Sequence, residues 1–153
     1  MKLRPLLAKL DAFANFLQSP LLLAIRLYWG WHFAQTGWGK LMNLDRTAGF
    51  FESLNIPLPK VNAIMAGATE CGGGALLALG LFARPASVPL IFTMLVAYYT
   101  ADRDALFAIT SDGDKFTGAT PFLFLFAALI VLAFGPGKLA LDALLGKNKS
   151  TTK

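Results

Sequence analysis

Apolar residues dominate four segments, residues 20–38, 61–81, 85–101 and 119–134, separated by more polar connections. At ~1.5 Å rise per residue, ~20 residues cross a hydrocarbon core of about 30 Å, so each run predicts a membrane-spanning helix. Ahead of them the pattern changes. Leu3, Leu6, Leu10, Phe13 and Leu17 share one helical face, while Lys2, Lys9, Asp11 and Asn15 lie off it. That spacing predicts an amphipathic helix lying on the membrane surface. Pro20 suits the first turn of a new helix and marks the start of the first span. In the connection 41–60, Phe50, Phe51, Leu54 and Ile56 are spaced for a short amphipathic helix that Pro57 and Pro59 end. Only Ala83-Arg84 separates the second run from Pro85, which makes spans two and three antiparallel neighbours. The stretch 102–118 is acidic and reads as a solvated connection, with a turn at Asp112-Gly113-Asp114. Gly135-Pro136-Gly137 stops the fourth run. The predicted architecture is all-α: an N-terminal cytoplasmic amphipathic interfacial helix (1–19), an integral membrane four-helix bundle (20–146) and a polar tail (147–153).

Composition agrees with lipid exposure. Of 153 residues, 56% are hydrophobic and only 15% charged, with a mean hydropathy of +0.56, whereas soluble domains are about one quarter charged. The net charge of +5 is concentrated at the ends. Lys2, Arg4 and Lys9 precede the first span, Arg84 lies between the second and third, and Lys138, Lys147, Lys149 and Lys153 follow the fourth. This bias predicts both termini in the cytoplasm. The first apolar stretch has no small-residue cleavage site, so insertion through an uncleaved first helix is expected. Basic residues are not interleaved with aromatics as on a nucleic-acid-binding face, and no nucleic-acid partner is expected. Cys71 is the single cysteine, which excludes an intrachain disulfide or thiolate cluster.

Glu70, near the middle of the second run, is the most informative residue. An intramembrane carboxylate needs a partner or a task. On the first run Arg26, Gly30, Phe33, Gly37 and Lys40 form one stripe; on the second, Ala63, Ala66, Gly67, Glu70, Gly73, Gly74 and Leu77 form another. Small residues on both let the helices approach closely and turn Glu70 inward. Counted from the cytoplasmic ends of their runs, Arg26 is ~9 Å deep and Glu70 ~16 Å deep, a gap an extended arginine nearly closes. A bidentate Arg26–Glu70 pair is therefore expected. It has two uses: a buried strut that fixes helix register, or a polar mid-membrane site that receives a quinone headgroup or a proton. Lys40 reads as a snorkelling interfacial cation or as a contact to that headgroup. His32, the only histidine, lies about 120° around the helix from the Arg26 stripe. It is a candidate for proton or quinone work, and alone it cannot supply both axial ligands of a bis-histidine haem. The candidate catalytic residues are Glu70 and His32; the candidate cofactor-binding residues are Arg26, Lys40, Gly37 and Gly73. No haem or metal is expected. No Ser–His–Asp set, P-loop or GxGxxG accompanies them.

The order of several motifs is that of a known family. Arg26, Gly37-Trp38-Gly39-Lys40, Gly49-Phe50-Phe51 with Pro57, the run Glu70-Cys71-Gly72-Gly73-Gly74-Ala75-Leu76-Leu77, Gly80-Leu81-Phe82-Ala83-Arg84 and Phe134-Gly135-Pro136-Gly137 with Leu141-Asp142 together resemble the DoxX family of small bacterial membrane proteins. The resemblance covers nearly all of the chain from Pro20 to Asp142 and implies a four-span, multi-pass inner-membrane protein. It also implies quinone-linked redox work, since the family name comes from a thiosulfate:quinone oxidoreductase. The first expectation is thus a membrane subunit of a quinone-linked redox assembly, with electrons supplied by a membrane or soluble partner protein. The alternative is a non-enzymatic scaffold or anchor in which Arg26–Glu70 is a structural pair. Candidate partners are the lipid bilayer, a redox protein and a second copy of the chain.

Overall fold

The computed structural model describes residues 3–148, and among them all regular structure is helical. The first helix, α1, runs unbroken from Leu3 to Met42 with Pro20 inside it. Residues 3–19 of the separate interfacial helix expected over 1–19 are therefore continuous with the first span in α1, and residues 1 and 2 lie outside the described residues. Pro20 removes one backbone hydrogen bond, but Ser19 and Pro20 are followed by strong helix formers, Leu21 to Leu23, and no turn residue intervenes to redirect the chain. At ~1.5 Å per residue α1 is about 60 Å long, and residues 7–18 are exposed all round.

A short helix α2 (Leu44–Ser53) leads into α3 (Pro59–Leu79). Pro59 opens α3 at a position where a missing N–H costs nothing. Gly80, at φ +67°, closes it: its N–H donates to the Leu77 carbonyl at 3.1 Å, and the Leu81 N–H donates to the Leu76 carbonyl at 3.0 Å. This paired C-terminal cap needs a left-handed residue, which glycine adopts without a Cβ clash. The chain reverses within three residues into α4 (Ala83–Thr100), so α3 and α4 are antiparallel neighbours. Asp142 fixes that reversal. Its carboxylate accepts from the N–H groups of Phe82 (2.9 Å) and Ala83 (3.2 Å), and its own N–H donates to the Gly80 carbonyl (3.0 Å).

The stretch 102–118, expected as a solvated connection, is largely helical: α5 (Arg103–Phe107), a 3-10 turn (Ala108–Thr110) and α6 (Gly113–Gly118). Asp112 caps α6 by accepting from the Lys115 N–H at 3.0 Å. Buried Tyr98 on α4 anchors this segment by donating to the Phe116 carbonyl at 2.6 Å and stacking on the Phe116 ring. Then follow α7 (Thr120–Phe134) and α8 (Leu141–Asn148). Lys147 and Asn148 of the expected polar tail end α8; the rest of that tail lies outside the described residues.

The bundle is two helix pairs, α1 against α3 and α4 against α7, joined by a core of Phe33, Leu77, Leu90, Met94, Ala128 and Val131. The α1–α3 contact is backbone on backbone. A Cβ at Gly30 would lie 2.8 Å from the Gly74 carbonyl oxygen, and one at Gly74 would lie 2.7 Å from that of Gly30. The pairing of the two glycine stripes anticipated in the sequence is thus observed. No helix among the described residues is long and apolar enough to cross a membrane. The inward faces are the reason: Gly67, Glu70, Gly73 and Gly74 dilute α3, Arg26 and His32 dilute α1, and the most apolar helix, α7, has 15 residues.

Candidate functional site: an ion pair at the wall of an apolar cavity

Antiparallel packing sets which charges meet. Gly37 rests on the α3 backbone at Gly67 and Glu70, a Cβ there lying 2.6 Å from the Gly67 oxygen and 2.8 Å from the Glu70 carbonyl carbon. Side chains on a helix lean toward its amino terminus. Lys40, one turn past Gly37, leans back to the level of Glu70; Glu70 leans along α3 toward Lys40. Lys40 Nζ and Glu70 Oε2 form a hydrogen-bonded ion pair. The carboxylate side is 2% exposed and the ammonium side 29%, so Lys40 bridges from a wetter surface to a buried acid.

The expected Arg26–Glu70 pair does not form. Arg26 lies level with the carboxyl end of α3, ten residues or ~15 Å along the helix from Glu70, and the two side chains lean away from each other. The sequence-based depth set the start of the first span at Pro20, whereas α1 continues past it and the α1–α3 register is offset accordingly. Arg26 is fully buried and donates instead to the carbonyls of Leu77 (3.4 Å), Ala78 (3.1 Å) and Leu139 (2.8 Å). Two of these carbonyls, Leu77 and Ala78, belong to the last turn of α3, where a cation is favoured. Of the two uses weighed for the arginine, this is the structural one, with a different partner. Its Nε is buried without a partner.

Lys40 and Glu70 face a cavity of about 500 Å3 lying between the two helix pairs, within the ~300–1,000 Å3 span of small-molecule sites. Its walls are mostly apolar: Phe50, Phe51, Leu54 and Ile56 from α2 and the following turn, Met65 and Ala66 from α3, Pro89, Phe92, Val96 and Ala97 from α4, Pro121 and Phe124 from α7. Thr36, Thr69, Thr93 and Asn62 add neutral polar groups, and Asp102 closes one end. A second cavity of about 490 Å3 is lined by Gly39, Asn43, Arg46 and Thr47 and shares Thr36, Lys40, Phe50 and Phe51 with the first. Lys40 therefore stands between the two cavities.

The residues singled out in the sequence divide accordingly. Glu70 and Lys40 line the chamber. Gly37 is spent on the α1–α3 contact, and Gly73 on α4, where a Cβ would sit 3.0 Å from Leu90 Cγ. His32 packs against Tyr28 and Trp29, ring centroids 4.5 and 6.0 Å away, and does not line the cavity; it is not brought to Glu70. The residues missed are the threonines and the α2 and α4 walls. Thr36, one turn before Lys40, and Thr69, beside Glu70, carried a signal in their spacing; Phe92 and Thr93 carried none. Among the described residues no group of three or more His, Cys, Asp or Glu could hold a metal ion.

A quinone headgroup fits this donor set. Its ring suits aromatic and aliphatic walls, and its two oxygens need donors, which the Lys40 ammonium and the Thr69 hydroxyl can supply. The hydroxyls of Thr36 and Thr93 already donate to the carbonyls of Phe33 (3.0 Å) and Pro89 (2.9 Å).

Comparison with known proteins places the chain. A family model described as DoxX matches residues 21–103. A Mycobacterium tuberculosis protein described as an uncharacterized membrane protein is 33% identical over 135 residues, covering 84% of this chain and 83% of that protein. No solved structure matches the chain.

Proposed function

We propose that this chain, which belongs to the DoxX family, is a multi-pass inner-membrane protein that binds a quinone or quinol headgroup beside Lys40–Glu70 as a subunit of a redox assembly. The observation that carries the proposal is an ion pair with a buried carboxylate on the wall of a mostly apolar chamber of about 500 Å3. Membrane residence is supported by the relative's description and by the outer surface, where Leu27, Trp31, Trp38, Phe92, Leu95, Leu123 and Phe126 are exposed on three helices. Soluble monomers rarely expose apolar surface on that scale. The bundle meets lipid with its outer faces, while the few buried polar groups, Arg26, Glu70 and Ser87, are kept inside it. The basic termini are assigned to the cytoplasm.

A bound quinone supplies an acceptor of electrons and protons; the electrons come from a partner redox protein. The protein's own residues have narrower tasks. Lys40 offers a cationic donor to a headgroup oxygen, and such charge-assisted bonds are shorter and stronger than neutral ones. Glu70 holds that ammonium in place and can hold or pass a proton at Oε2. The apolar walls exclude water, which strengthens both interactions.

Wild type, Glu70→Gln and Lys40→Met proteins in lipid nanodiscs, titrated with a short-chain quinone, test the assignment. Both variants are expected to weaken binding at least tenfold, about the 1.4 kcal/mol of one lost charge-assisted contact. Unchanged affinity in both variants refutes it. The scaffold alternative is favoured by one observation, the exposed stretch 7–18 of α1 with Leu10, Phe13, Phe16 and Leu17 uncovered. Removal of residues 3–17 separates the two: loss of a co-purifying partner with quinone binding intact favours the scaffold.

A further inference from the structure

We infer that the chamber opens sideways between α3 and α4, and that this opening is a subsite for the long hydrocarbon chain of the ligand whose headgroup sits at Lys40–Glu70. The inference deepens the quinone reading and rests on it for the headgroup alone.

Chamber-lining residues are exposed at several places, Thr36, Phe50 and Thr120 among them, and the exposed ones on α3 and α4 are all apolar: Met65 is 61% exposed, Phe92 68% and Val96 38%, with Pro89 one turn before Phe92. A side chain that faces both a cavity and the exterior stands at the cavity's mouth. The two helices that carry this mouth are held together closely at the end where they join. Near their turn, Gly73 lets Leu90 within about 3 Å of where a Cβ would stand, and Asp142 clamps Phe82 and Ala83. Farther from the turn, the chamber comes between α3 and α4.

The chemistry of the rim identifies what passes it. A thioether, a phenyl ring and an isopropyl group offer nothing to a hydrated head and much to methylene groups. On the other side of Lys40 a second hollow is lined by Asn43, Arg46 and Thr47 together with Phe50 and Phe51. The ion pair can hold a polar head and the α3–α4 rim offers apolar side chains, which orients an amphipathic ligand with its head at Lys40–Glu70 and its chain outward. A chamber of about 500 Å3 can enclose a ring and the first part of a chain, so the rest of a long chain must leave, and the apolar mouth is where it can do so.

The test separates chain from head. Wild type, Phe92→Trp and Met65→Trp proteins in nanodiscs are titrated with a decyl-chain benzoquinone and with the same ring lacking the chain. In parallel, native mass spectrometry records the long-chain molecules each protein retains from the bilayer. The rim variants are expected to weaken decyl-quinone binding about tenfold more than chain-free binding, as the displacement of roughly two methylene groups would, and to lose the retained species. Equal weakening of both ligands, or of neither, overturns the subsite. Retention of a long-chain species by wild type and its loss from Phe92→Trp, without quinone binding by any protein, supports the subsite and refutes the quinone. No retained species together with no decyl-quinone binding overturns both.

Discussion

Substitution of Gly37 by alanine probes the contact that brings Lys40 to Glu70. An added Cβ would meet main-chain atoms of Gly67 at 2.6 Å and of Glu70 at 2.8 Å, with the Cys71 nitrogen also in the way. None of these atoms belongs to a side chain that can rotate aside. Ordinary contact would return only if α1 and α3 separated by roughly 1 Å, and overpacking of this kind costs ~1–3 kcal/mol. Alanine is itself the better helix former by ~1 kcal/mol, so a net loss of about 2 kcal/mol places the substitution at the severe end. For a chain of this size that is a fall of roughly 4–8 °C in Tm. Gly39→Ala and Gly72→Ala are the controls, since an added Cβ at either meets nothing within 4 Å; these should be neutral or gain up to ~1 kcal/mol. Thermal unfolding in a mild detergent, followed by tryptophan fluorescence, reads all three. If Gly37→Ala melts with its controls, α1 and α3 do not touch as described and the geometry of the ion pair falls with them.

Lys40→Met leaves the buried Glu70 carboxylate uncompensated and should destabilise by ~3 kcal/mol, whereas Lys40→Met with Glu70→Leu should recover most of it; a double-mutant cycle with zero coupling in Tm or denaturant midpoint would refute the pair. Gly80→Ala should cost at least ~1–2 kcal/mol, because φ is +67° and a Cβ would also fall 2.7 Å from Ala140 Cβ and onto the Arg26 guanidinium; a melt equal to wild type would contradict the cap. Asp142→Ala removes both acceptors at the start of α4 and should lose about 1–2 kcal/mol in the same assay. His32→Ala should leave quinone affinity unchanged, since the ring does not reach the chamber; a tenfold loss in titration would reinstate it as a site residue.

The helices and their inward faces were legible because glycine spacing and apolar periodicity report faces directly. Gly30 and Gly37 on one helix and Gly67 and Gly74 on the other were enough to bring α1 against α3 and to turn Glu70 inward. Register was not legible. Faces carry no information on level along the axis, and a start fixed at Pro20 displaced Arg26 toward an acid it does not reach. Lys40 was available on the same stripe, but only the α1–α3 register, with the lean of side chains toward each amino terminus, distinguishes it from Arg26. The capping role of Arg26 depends on Leu139, 113 residues away, a contact that no local pattern announces. The chamber too is a product of tertiary packing: Phe50, Phe92 and Phe124 come from separate helices whose sequences differ little from ordinary apolar surface.

The two glycine stripes have the same interval, seven residues from Gly30 to Gly37 and seven from Gly67 to Gly74, with Gly30 against Gly74 and Gly37 against Gly67. Equal intervals make the seam a clasp with two teeth, and a single inserted or deleted residue between the teeth of either helix would turn one of them by ~100° and shift it ~1.5 Å. Length variation is therefore forbidden inside residues 30–37 and 67–74. It is cheaper in the helix-linking stretch 54–58, where the chain can lengthen without disturbing the clasp.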